Sequence, residues 1–161
     1  MPGITCTFRL NGQPMSVLNC AGIGAFFAFS GLDRDINKPG AVAHANSGPL
    51  PPGRYYIVDR QSGGRMGWFW DHALSFAGRS PTEWFALFRI DATIDDFTVI
   101  NGVRRGRFRL HPKGGAGISQ GCITVANPDQ FKRLRSAFLQ RGATVPVPGT
   151  NLKAYGTVDV Q

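Results

Sequence analysis

Two side chains able to do covalent chemistry flank the glycine-rich stretch in "FRLHPKGGAGISQGCITV" (108–125): His111 and Cys122, eleven positions apart. A free thiol with a pKa of about 8.5 is only about 3% thiolate at pH 7, so a catalytic cysteine needs a basic or cationic neighbour. His111 is the candidate, and its imidazolium is expected to hold the Cys122 pKa below that of a free thiol. The glycines and proline between them let a chain fold back and bring two strand ends side by side. Gly121 would let the backbone approach a substrate closely. The N–H groups of Gly121 and Cys122 could then face a developing oxyanion, where one such donor is typically worth ~2.7–4 kcal/mol. Ser119 could fix the loop or hydrogen-bond a substrate. The same residues also fit simple packing, because free cysteine is among the most buried residue types and a His-Pro pair can merely begin a turn. Spacing alone leaves both readings open.

The elements that must position these residues are mostly strands. With 161 residues, 42% of them hydrophobic, the chain can bury a real core as one domain (1–161) without disulfide or metal support. Its 21 glycines and 11 prolines are spread throughout, as in a fold of many short strands and turns. Ile4, Cys6, Phe8 and Leu10 alternate with polar residues, and "NG" at 11–12 suggests a hairpin turn into a second strand through Val17 and Leu18. A Pro/Gly stretch leads into a strand over Arg54 to Asp59, "EWFALFRI" reads as another, and "AYGTVDV" as the last. "MGWFWDHALSF" fits strand or short helix. One helix is expected over 128–141. Asn127 caps it, Pro128 suits its first position, Gly142 stops it, and Phe131, Leu134, Phe138 and Leu139 form the buried stripe.

The three cysteines are an odd number without C-x-x-C, which argues against a disulfide framework and against structural zinc. If Asn11-Gly12 is a two-residue turn, Cys6 faces Val17 and Cys20 falls three residues out of register. A net charge of +8 favours anionic partners. Charge alone does not choose among nucleic acid, a membrane surface and an acidic polymer such as a cell wall, but the basic runs "RRGRFR" (104–109) and "FKRLR" (131–135) carry no interleaved base-stacking aromatics of a known nucleic-acid module, which makes nucleic acid the minor alternative. "AGIGAFFAFSG" has about half the ~20 apolar residues needed to span a bilayer, so no membrane insertion is expected. "MPGITCTFRL" lacks the pattern of a secretory signal, which places synthesis in the cytoplasm.

"HPKGGAGISQGCITV" resembles the active-site signature of the L,D-transpeptidases, and more closely the form found in the type VI secretion L,D-transpeptidase effectors, with HP, a glycine-bearing loop and S-x-G-C-I. "GPLPPGRYYIVDR", "FRLHP" and "YGTVDV" are similar to further strands of that family. The resemblance implies a mainly β, sandwich-like domain with Cys122 as nucleophile, His111 as base and Ser119 as the motif serine. Gln120 stands where the broader family has a second histidine. The member orienting the imidazole is open, since a backbone carbonyl could serve as well as a carboxylate. The implied substrate is the peptidoglycan stem tetrapeptide, cleaved through a Cys122 thioester without cofactor or metal, with water, a D-amino acid or a second stem as acceptor. Implied partners are an immunity protein and a component of the secretion apparatus, and the implied place of action is the periplasm of a target cell. Arg109, on the strand face of His111, is a candidate to grip a substrate carboxylate, and Tyr55 and Gln120 are further substrate-binding candidates. His44 and His72 have no spacing that ties them to the site. The competing reading is a non-enzymatic basic β-domain that binds wall polymer or nucleic acid, with Cys122 buried.

Overall fold

A computed structural model describes residues 3–59, 83–114 and 121–161. The strands are β1 (Ile4–Phe8), β2 (Ser16–Cys20), β3 (Gly24–Ser30), β4 (Gly53–Asp59), β5 (Phe85–Arg89), β6 (Phe97–Ile100), β7 (Val103–Gly106), β8 (Arg109–Pro112), β9 (Ile123–Val125), β10 (Val145–Pro146), β11 (Lys153–Ala154) and β12 (Gly156–Val160). Eight of them close into a barrel in the order β1-β12-β4-β5-β8-β9-β3-β2, while β6–β7 and β10–β11 form separate two-stranded ribbons. The mainly β fold is as the alternation implies, with the sheet joined into one closed barrel. Two of its seams are parallel, β1 with β12 and β8 with β9. "AGIGAFFAFSG" lies in and around β3, and no helix among the described residues is long and apolar enough to cross a membrane.

Strand alternation sends Ile4, Cys6, Phe8, Leu18, Tyr55, Ile57, Phe85, Leu87, Leu110, Ile123, Val125 and Val158 into one interior cluster. The helix α1 (Pro128–Arg141) is capped by Asn127, whose side chain accepts from the N–H groups of Asp129 and Gln130, and it ends at Gly142 with φ 80°. It adds Phe131, Leu134 and Phe138 to the core, where Phe85 meets Phe138 and Tyr155 edge-on at 5.1 and 5.4 Å. Leu139, expected in the buried stripe, is 43% exposed. It lies about 80° round the helix from Phe131, outside the narrow arc the other three share.

The hairpin register differs from the two-residue expectation, because β1 ends at Phe8 and β2 starts only at Ser16. Asn11 builds a wider turn, its side chain accepting from the Gln13 N–H and donating to the Met15 carbonyl, and Ser16 donates to the Arg9 carbonyl. The longer loop sets Cys6 opposite Cys20, and the two form a disulfide inside the barrel. The sequence argument against a disulfide is thereby overturned.

Candidate active site

His111 and Cys122 are brought together by the parallel seam. Leu110 pairs with Ile123 and His111 with Thr124. Since Leu110 and Ile123 point into the core, alternation turns Arg109, His111, Cys122 and Thr124 onto the opposite, outer face. Cys122, two residues before Thr124, thus follows along the seam on the face that carries His111. That outer face is also covered, for every residue of β8 and β9 is buried.

His111 is held on two sides. Its Nδ1–H donates to the carbonyl of Pro112 at 2.8 Å, so a backbone carbonyl fills the orienting position and leaves Nε2 as the acceptor. Phe85 pairs with Leu110, which carries Trp84 opposite His111, and the two rings stack at 4.4 Å with 23° between planes. Burial depresses the His111 pKa to about 4, against a smaller opposing effect of the Pro112 hydrogen bond. Burial likewise pushes the Cys122 thiol up to about 11, opposed by a hydrogen bond from the Arg109 backbone and by the charges of Arg109 and Arg105. Both shifts favour the neutral imidazole and the neutral thiol. Desolvation thus works against the expected thiolate–imidazolium pair, since it penalises both ions.

Gly121 has φ +87°, and a Cβ there would stand 2.5 Å from Arg105 and 2.7 Å from the Phe108 ring. Only glycine fits. Arg105, which sequence reasoning left inside a surface-type basic run, is 3% exposed. It donates to the carbonyls of Val42, Gly48 and Pro49, tying the 42–49 loop to the backbone beside the thiol. Its signal in the sequence is slight, since one arginine among four in "RRGRFR" looks like its neighbours.

The other candidates fall in different places. The guanidinium of Arg109 is clamped by Asp96 through two bonds of 2.7 and 2.9 Å, which occupies the groups meant for a substrate carboxylate. Tyr55 is corrected to a core residue: it is fully buried on the interior face, edge-on to Phe108, with its hydroxyl donating to the Pro51 carbonyl. His44 faces the buried Asp35 at 2.8 Å, and Ser47 donates to the same carboxylate, holding its pKa down. Ser119, Gln120, Trp68, Trp70 and His72 lie outside the described residues. Among the described residues no group of three or more His, Cys, Asp or Glu is placed to hold a metal ion.

A mainly β barrel that sets a buried histidine and cysteine on adjoining parallel strands defines a protein with a candidate cysteine–histidine site. Residues 24–150 match the Tlde1 domain, and the chain belongs to that family of type VI secretion L,D-transpeptidase effectors. No curated protein and no solved structure shows a significant match to the chain.

Proposed function

We propose that the protein is a cysteine enzyme that cuts the stem tetrapeptide of peptidoglycan and forms a thioester on Cys122. The observation that carries this reading is the state of His111: Nδ1 is committed to Pro112, Nε2 is left as a buried lone pair, and Cys122 shares its strand face. Membership of the Tlde1 family supports the choice of substrate class. Because thiol and imidazole rest neutral, the thiol proton passes to Nε2 as sulfur attacks the carbonyl before the terminal D-alanine, and Nε2 then protonates the leaving amine. The N–H groups of Gly121 and Cys122 are the oxyanion donors in this scheme. Water as acceptor gives carboxypeptidase action, a D-amino acid gives exchange, and a second stem gives a crosslink.

The proposal extends to compartment and partners. The protein is made in the cytoplasm, delivered by a component of the secretion apparatus, and acts in the periplasm of a target cell, with an immunity protein guarding the producer. Mass spectrometry of muropeptides incubated with the protein tests the chemistry, and Cys122→Ala is expected to abolish every product while the fold survives. Unchanged products from a folded Cys122→Ala protein would refute it. The raised thiol pKa also suits an inert cysteine in a wall-binding module. Alkylation separates the two, because an enzyme's Cys122 is protected by bound tetrapeptide stem and a packing cysteine is indifferent to it.

A further inference from the structure

Three side-chain polar atoms around the candidate site are buried without a hydrogen-bond partner among the described residues: the indole nitrogen of Trp84, Nε2 of His111 and the hydroxyl of Thr124. The residues are 7%, 4% and 2% exposed. An unpaired buried polar group costs ~1–3 kcal/mol, so three in one place call for a reason. They form a row, with Trp84 stacked on His111 and His111 register-paired with Thr124. Nε2 of the neutral ring can only accept, whereas the Thr124 oxygen both accepts and donates. Two neighbouring acceptors suit a small molecule that carries two protons on one atom, and water and an unprotonated amine are of that form.

We propose that Thr124 positions the acceptor that resolves the thioester. The inference rests on the thioester reading and assigns a residue to its second half. In the first half the thiol proton moves to Nε2, the S–C bond forms, the C–N bond breaks and the leaving amine takes the proton. No further molecule is needed. In the second half the acceptor gives one proton to Nε2 while its oxygen or nitrogen bonds to the thioester carbon. The C–S bond then breaks and Nε2 returns the proton to sulfur. Thr124 Oγ1 takes a hydrogen bond from the acceptor's other proton and turns its lone pair toward the carbonyl, so Thr124 acts on the second half alone.

The test compares wild type, Thr124→Val and Thr124→Ser on a synthetic tetrapeptide stem, following product release and the mass of the quenched intact protein. Thr124→Val should acylate at close to the wild-type rate but deacylate about tenfold or more slowly, the equivalent of one lost hydrogen bond, so that the Cys122 adduct accumulates. Its thermal midpoint should be held or raised, since valine removes a buried unpaired hydroxyl. Thr124→Ser should turn over like wild type. A Val variant that accumulates no adduct, or loses both halves in equal proportion, overturns the proposal, as does a Ser variant that behaves like Val. Wild type that never acylates on Cys122 overturns the thioester reading and this inference with it. Wild type that acylates beside an unaffected Val variant overturns this inference alone.

Discussion

Opening the Cys6–Cys20 disulfide should weaken the fold by a calculable amount and leave the chemistry intact. The bridge joins residues 14 apart, and closing a loop of about 15 residues in the unfolded chain is worth ~3 kcal/mol. For a chain of this size, at ~2–4 °C per kcal/mol, the thermal midpoint should fall by about 6–12 °C. Both sulfurs sit in the barrel interior and Cys122 faces outward, so turnover well below either midpoint should be unchanged. The comparison needs oxidised protein, protein reduced in denaturant and refolded under reductant, and a Cys6→Ala/Cys20→Ala variant. Melts are run beside thiol counts, which should read one free thiol before reduction and three after. Equal midpoints for oxidised and reduced protein, or three thiols in the untreated protein, would refute the reasoning.

Acid should act through His111. Its folded pKa of about 4 lies below the ordinary 6.5, so between these values the unfolded chain takes up a proton that the native site refuses. Stability from this group is therefore full above 6.5 and falls as pH drops toward 4, by about 3 kcal/mol in all at ~1.4 kcal/mol per pH unit. In urea titrations, the stability lost between pH 7 and pH 4 should be greater for wild type than for His111→Asn by about that amount, and equal losses would refute it. Gly121→Ala should cost stability and most activity, since it meets both a left-handed φ and the Arg105 and Phe108 side chains. A fully active, equally stable alanine variant would contradict that account. Arg105→Met should free three carbonyls and loosen the 42–49 loop, costing about 3 kcal/mol or more by urea titration. Hydrogen exchange unchanged in residues 42–49 would count against it.

Local signals carried far in this chain. Period-two alternation located β1 and β12, the Pro/Gly entry pointed to β4, and Asn127, Pro128 and Gly142 bounded the helix, because each depends on neighbours in sequence. Residue type and a foldable loop made His111 and Cys122 candidates without deciding between chemistry and packing, and the resemblance carried the family. What escaped depended on distance or environment. The hairpin register turned on how Asn11 and Ser16 spend their hydrogen bonds, and with it went the disulfide. Arg109 meets Asp96 only because the β6–β7 ribbon brings the chain back beside β8. Arg105 is buried by a loop sixty residues earlier in the chain, to which no local pattern pointed. The shifts of both groups toward their neutral forms came from desolvation, which spacing cannot report.

The parallel seam between β1 and β12 sets a timetable for the molecule. Ile4 pairs with Gly156 and Phe8 with Val160, so β1, made about 150 residues earlier, waits for β12. Until Gly156–Val160 leave the ribosome, β1 and β4 each present a bare edge, since β12 is the partner both of them lack. Joining ends about 150 residues apart spends chain entropy before any contact returns it, which makes closure a late and slow step. A chain in which β12 has not yet paired therefore carries two unpaired sheet edges, the feature that makes incomplete β folds prone to association. Deleting Gly156–Val160 would deprive β1 and β4 of their shared partner, although the deletion lies outside the 24–150 stretch that matches the family.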